Sequence, residues 1–334
     1  VLLAWWQRDV YSRSLVDLLK TSQIELLNID EKGIGILDQQ TQLLVIDALR
    51  DPQDEVVDLA ADLLLLYGRP AARLAVLRQA ATGRASIQIL LMKKLARFPS
   101  QDIRNFLLKA LESGDERVKL AGLESLITYP HDERIRLAIA EYLDYPDTRH
   151  QAAAAAAAVS GGDLIQMMKS LIILQRLLFG KDPEQIVLGI EALGKTGDER
   201  FWVNLRTFLA SPEPEIRLVA MRAMNRMVRV GEIHEYLELL QNLLRDTLRE
   251  TRGLAIQIIG RVRTPHSISL LVEALADASP RNRRQALEGL TNFGPEIINP
   301  LMLLLEDPRA PIHAQTGAVR LLNLSQDPEV HDRL

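Results

Sequence analysis

Apolar residues recur along this chain at helical spacing, and the helices come in pairs. Ile216, Val219, Ala220, Ala223 and Met227 form one stripe of a helix wheel. No segment shows the strict two-residue alternation of a half-buried strand. The recurring unit is an apolar helix, a short Asp/Pro/Gly turn, and a second helix with Val or Ile near its start, followed within one turn by Ala. Four copies carry it. Asp51-Pro52 leads to Val56 and Ala60, Gly114-Asp115 to Val118 and Ala121, Ser211-Pro212 to Ile216 and Ala220, and Asp307-Pro308 to Ile312 and Ala314. Val56 and Val118 stand two units apart and Ile216 and Ile312 three, at about 31–32 residues per unit.

Second helices are predicted to open near Pro52, Arg84, Asp115, Asp147, Pro183, Pro212, Thr247, Ser279 and Pro308. Breakers between pairs fall at Gly68-Arg69-Pro70, Phe98-Pro99, Tyr129-Pro130, Gly161-Gly162, Gly197-Asp198, Thr264-Pro265 and Gly294-Pro295. The expected fold is therefore an all-α solenoid of about nine helix pairs, with one further helix before them. Asp or Ser at the turn accepts hydrogen bonds from the free amides that open the second helix. Pro fits the first turn because its missing N–H costs nothing there. Small Ala residues let paired helices approach. The unbroken run Ala152 to Ala158 predicts a strong helix at a tight packing point.

The Asp-Pro-x-x-x-Val pattern at Asp51-Pro52 and Val56, and the hydrophobic-Arg step at Ile216-Arg217, resemble HEAT and HEAT-like repeats over roughly residues 40 to 325. The unit is shorter than the ~40–47 residues usual for HEAT and armadillo arrays, which points to the compact bacterial type. Tetratricopeptide and ankyrin signatures are absent. The resemblance implies a right-handed α-α superhelix acting as a protein-binding scaffold over residues 40–334. Residues 1–39 then form an N-terminal helix, cap and linker.

The start carries a second resemblance. Asp9-Val10-Tyr11-Ser12-Arg13-Ser14-Leu15-Val16-Asp17-Leu18-Leu19-Lys20, with the loop around Ile29-Asp30, is similar to the junction after the membrane part of bacterial ATP/ADP-translocase-like, major-facilitator-like proteins. That resemblance implies a regulatory domain at the cytoplasmic face of a membrane, with a membrane domain N-terminal to Val1. Trp5-Trp6 followed by Gln7-Arg8 suits the water-facing end of a membrane helix; equally, Leu2, Leu3, Trp5 and Trp6 can cap the first repeat. The chain opens without Met and stops in mid-pattern at Leu334, as an excerpt from a longer protein does.

Composition narrows the chemistry. Aromatics are 4% against 47% hydrophobic residues, so the core is built of Leu, Ile, Val, Ala and Met. A net charge of −4 gives no global attraction to nucleic acid or acidic membrane. With no Cys there is neither a disulfide framework nor a thiolate site, which fits a cytoplasmic setting. The six His residues stand in no metal-binding spacing, and His131 and His266 fall in turns between repeats. Asp54, Glu55, Asp58 and Asp62 read as a solvated acidic face, and Gly33-Ile34-Gly35 as a join rather than a phosphate loop. No cofactor, metal or catalytic constellation is expected.

One polar pattern stands out. Arg222, Arg226 and Arg229 share a helix face, and Arg245, Arg249 and Arg252 repeat the spacing one unit on. Arg281, Arg283 and Arg284 follow in the next. Second helices are expected to line the concave side, where Arg222, Arg226, Arg229, Arg245, Arg249, Arg252, Arg281 and Arg284 would form a strip for an anionic partner. Against it, Glu213, Glu215, Glu232, Asp246 and Glu250 are near enough to neutralise it. The sequence thus points to a non-catalytic interaction scaffold whose partner is a protein or an adjacent domain of the same chain. The alternatives are a HEAT-like enzyme of the bilin-lyase or DNA-base-glycosylase type and a nucleic-acid-binding module. The lack of a matched catalytic Asp argues against a glycosylase.

Overall fold

The computed structural model describes residues 39–68, 70–227 and 236–323. Every regular element among them is helical. The expectations placed on Trp5-Trp6, the Asp9–Lys20 stretch and Gly33-Ile34-Gly35 lie outside the described residues. Two compact units are present, Val1–Ile173 and Leu174–Leu334.

In the first unit the pairs are α1 (Gln39–Ala48) with α2 (Asp54–Tyr67), α3 (Pro70–Thr82) with α4 (Ala85–Leu95), α5 (Gln101–Ala110) with α6 (Glu116–Leu126), and α7 (Glu133–Tyr142) with α8 (Thr148–Gly161). The unit boundary falls inside α9 (Leu164–Leu178). The second unit continues with α10 (Pro183–Thr196), then α11 (Trp202–Leu209) with α12 (Pro214–Met227), and α13 (Leu237–Leu243) with α14 (Arg249–Ile259). It ends with α15 (Pro265–Ala274) and α16 (Pro280–Leu290), then α17 (Ile298–Glu306) and α18 (Ile312–Leu322). Counting α9 with α10, the described residues hold the nine expected pairs.

The turns do what the sequence asks of them. Asp115, Asp147 and Asp182 cap α6, α8 and α10 by accepting from the amides of Arg117, His150 and Glu184. A cap of this kind contributes roughly 1 kcal/mol. Asp246 and Asp277 sit slightly earlier and accept from the amides of Leu248 and Ser279 at 2.8 and 2.7 Å. Gly197, with φ of 64°, closes α10 in the left-handed conformation open to glycine.

Stacking occurs chiefly through the second helices. In the first unit α2 packs on α4, α4 on α6 and α6 on α8; in the second, α10 packs on α12, α12 on α14, α14 on α16 and α16 on α18. Each first helix covers the flank of its own partner, so one layer's apolar face is closed by the next. Val56, Ala60, Val118, Ala121, Ile216 and Ala220 are all buried, as the repeat pattern requires. Every residue of the Ala152–Ala158 run is buried as well. Such a helix has no large side chains to hold neighbours away, and close-packed interiors fill that space with backbone.

One repeat departs from its expected register. Ile312, which the repeat pattern puts at the buried Val position, is 81% exposed, while Ala314 and Ala318 are fully buried. Pro311 provides the residue before α18, so the helix opens later than Asp307-Pro308 implies and Ala314 takes the core position.

Helices α10 and α12 approach closely. A Cβ placed on Gly194 meets the Ala223 Cβ at 2.7 Å and its Cα at 2.8 Å. Both atoms are rigid, so only a backbone shift relieves the clash. Gly194→Ala is therefore expected to lower stability by about 1–3 kcal/mol through overpacking, despite the better helix propensity of Ala. Gly114→Ala, where nothing lies within 4 Å of the new methyl, should be neutral. Urea unfolding of the two variants followed by circular dichroism checks the contrast.

Candidate interaction surface on the second helices

Three arginines occupy one register in the second unit. Arg217 donates to the carbonyls of Ser211 and Pro212 at 2.8 and 2.9 Å. Arg252 does the same to Asp246 and Thr247 at 2.9 and 3.4 Å, and Arg283 to Asp277 and Ala278 at 2.8 and 3.1 Å. Each guanidinium thus ties down the turn that opens its own helix. Its other edge reaches the next repeat: Arg217 to Asp246 at 2.6 Å and Arg252 to Asp277 at 2.8 Å. The planar fork of Arg makes these two tasks compatible, and a Lys ammonium would not serve both.

Arg252, grouped with the surface arginines by its sequence spacing, is therefore a structural tie, with its side chain 16% exposed against an Asp277 side chain that is 5% exposed. Arg222 pairs with Glu250 at 2.6 Å, Arg245 with Glu273 at 2.9 Å and Arg284 with Glu288 at 3.0 Å. Arg229 lies outside the described residues. Arg226, Arg249 and Arg281 are exposed, and none forms an ion pair among the described residues. Arg249 and Arg281 belong to the first turns of α14 and α16, and the Asn282 amide donates to the Arg249 carbonyl at 3.0 Å, which sets those two turns side by side. Cations at a helix N-terminus oppose the helix dipole, which favours carboxylates there. Folding alone gives no reason for arginine at either position.

The acids anticipated as a solvated face on α2 are partly matched. Lys94 lies within 2.9 Å of Asp58 and 2.5 Å of Asp62, and Arg84 reaches Asp54. No group of three or more His, Cys, Asp or Glu suited to a metal occurs among the described residues. A cavity walled by Leu126, Ile135, Ile139 and Ala157 has only water-sized room, far below what a small-molecule site needs.

Sequence reasoning missed His150. It is 3% exposed and sits between Asp147, which contacts its Nδ1, and the Glu116 carbonyl, 3.1 Å from its Nε2. Tyr145 donates to Glu116 at 3.0 Å, and Tyr142 donates to the Leu111 carbonyl at 3.0 Å. This cluster clamps the start of α8 onto the start of α6 and takes the place that Arg–Asp ties hold in the second unit. The Asp147-to-His150 spacing was visible in the sequence; the partner one repeat earlier was not.

The ties leave a mark on the carboxylates. Burial pushes the Asp246 carboxyl up, but the Arg217 guanidinium and the Leu248 amide outweigh it and hold Asp246 below the ordinary carboxylate value. Asp277 follows the same balance, lowered by Arg252, the Ser279 amide and Asn282 against the effect of burial. Half-buried Asp115 is lowered to about 2, first by its hydrogen bond from Arg117.

A depressed carboxylate stabilises the fold above its unfolded pKa and loses that contribution as pH falls through the folded value. Thermal stability should accordingly be flat near neutrality and fall below about pH 4. Asp246→Ala leaves Arg217 facing a buried gap and should cost about 3 kcal/mol at pH 7. Arg245→Ala removes an exposed pair and should cost less than about 1 kcal/mol. Urea titrations at pH 7 and pH 3 test both statements, since the Asp246→Ala penalty should shrink at the lower pH.

Residues 203–291 and 236–319 match the HEAT repeats family. No curated protein sequence matches the chain. Among solved structures, an engineered protein matches at 18% identity, covering 87% of this chain and 96% of its own, with a TM-score of 0.38. The complex of CpcE and CpcF of phycocyanin lyase from Nostoc matches at 18% identity over 88% of this chain and 99% of its own, with a TM-score of 0.41. Human deoxyhypusine hydroxylase matches at 17% over 85% and 95%, with a TM-score of 0.37. At these TM-scores none of the three assigns anything to this chain. The family match spans residues 203–319, which take in nearly all of α11 to α18 together with Arg217, Arg252 and Arg283.

Proposed function

We propose that this chain is a non-catalytic interaction scaffold whose second-unit arginines receive an acidic segment of a protein partner or of an adjacent domain. The supporting observation is the pair Arg249 and Arg281. Both are exposed on adjoining helix starts where the dipole disfavours them, and Arg226 adds a third exposed charge on α12. Guanidinium groups so placed suit bidentate recognition of carboxylates. Arg222, Arg245 and Arg284 bring matching glutamates with them, so they shape the rim and contribute little net charge. The resemblance of the Asp9–Lys20 stretch, the loop around Ile29-Asp30 and the Asp51 repeat to a transporter junction extends the proposal: the scaffold serves at the cytoplasmic face of a membrane, as part of a larger transporter-like protein.

A fluorescent oligoglutamate peptide tests the central claim. Its affinity should fall at least about tenfold in the triple variant Arg226→Glu/Arg249→Glu/Arg281→Glu and fall with added salt, with helical content unchanged. Binding that is indifferent to the three substitutions removes the proposal. A duplex oligonucleotide bound more tightly than the peptide, with a steep salt slope, would assign the surface to nucleic acid instead.

A further inference from the structure

Helix α9 is apolar on two opposite sides, and the fold buries only one. Ser170, Ile173, Leu174, Leu177 and Leu178 are buried. Opposite them, Leu164 is 67% exposed, Ile165 78%, Met168 56%, Leu171 42% and Ile172 64%. At 100° per residue these five fall within a stripe about 120° wide that contains no charged side chain. A helix that is hydrophobic all round is normally buried all round. Other first helices of the first unit expose apolar residues one or two at a time, Leu43 and Leu44 on α1, Leu74 on α3 and Leu137 on α7, and α5 and α7 carry Asp102, Arg134 and Glu141 at outward positions. The five-residue stripe on α9 is larger than any of these.

We infer that this stripe is the self-association surface of the chain, packing against the same stripe of a second copy. Three observations select that occupant. The first is area. Five aliphatic side chains exposed to this degree present on the order of 500 Å², which approaches the ~800 Å² a standard interface takes from each side. Gln166 donates to the Arg136 carbonyl at 3.4 Å, which brings α7 beside α9, and Leu137 on α7, 59% exposed, extends the apolar area. The second is charge. Lys169 and Arg176, the basic residues at one edge of the stripe, are both already engaged, Lys169 with Asp144. A neutral rim offers nothing to an anionic membrane, whose capture by an amphipathic helix relies on free Lys and Arg, and nothing to an acidic peptide. The third is geometry. α9 has 15 residues, and no helix among the described residues is long and apolar enough to cross a membrane. A straight apolar stripe is complementary to itself under a two-fold axis, the commonest symmetry of soluble oligomers.

This surface is distinct from the arginines on α12, α14 and α16, so the two proposals fail separately. The test is sedimentation velocity of the full chain from about 1 to about 100 µM, a range that resolves micromolar dimers. The wild type should sediment as a dimer. Ile165→Glu/Ile172→Glu should weaken association at least about a hundredfold with unchanged circular dichroism, since both side chains are exposed. Because the chain has no Cys, Met168→Cys carries a single spin label. Labels on the two copies should then report the close separation of packed helices, whose axes lie roughly 8–10 Å apart. A monomeric wild type at the top concentration overturns the inference, as does a dimer indifferent to the double substitution or one whose labels are far apart. A monomer that floats with phosphatidylcholine–phosphatidylserine vesicles, and ceases to do so in the double variant, overturns it in favour of lipid.

Discussion

A unit of two short helices cannot bury its own apolar face, and the rest of this structure follows from that constraint. Isolated helices of ten to fifteen residues are marginal in water, so each layer is stable only because the next one covers it. Covering it well requires second helices to lie close together, and that in turn demands small residues at their contacts. Gly194 against Ala223, and the fully buried run from Ala152 to Ala158, meet the demand with backbone and methyl groups.

Close stacking also brings turns together, and turns are full of unsatisfied polar groups. Carbonyls at a helix start and carboxylates at a cap both seek donors. The second unit answers in three successive layers with an arginine, Arg217, Arg252 and Arg283, each holding its own turn, the first two also reaching the acid of the next. The first unit solves the same problem differently, with His150 between Asp147 and Glu116 and with Arg104 reaching Asp132 at 2.5 Å. Polar residues in these layers are therefore mostly committed to the stack. What remains outside that commitment is the informative part: the exposed Arg249 and Arg281 at disfavoured helix starts, and the apolar side of α9. Neither is explained by folding, and each fits a partner of different chemistry.

The arginine surface shows why spacing within one helix is a poor guide to what a surface does. By sequence spacing Arg222, Arg226 and Arg229 fall at intervals of four and three, and Arg245, Arg249 and Arg252 repeat the interval. Across the stack, however, the equivalent of Arg217 is Arg252 and then Arg283, because these share the same reach to their own turns. Interval and register are different quantities. The first is fixed by the helix, and the second by where each turn ends. The same distinction accounts for Ile312, which keeps its distance from Asp307-Pro308 yet loses its core position once Pro311 delays the helix.

Local rules were sufficient for the helix pairs, the caps and the buried Val and Ala positions, because periodicity, Asp and Pro act within a few residues of themselves. They were sufficient, too, for the existence of a basic cluster between Arg222 and Arg284. Which of its members are exposed and which are structural ties was settled only by contacts some 25 to 33 residues apart. The burial of His150 belongs to the same class. The two-sided apolar character of α9 is written in Leu164 to Leu178, but the sequence does not say which side the fold will cover. That choice is made by neighbouring layers, and only the packed chain reveals the side left bare.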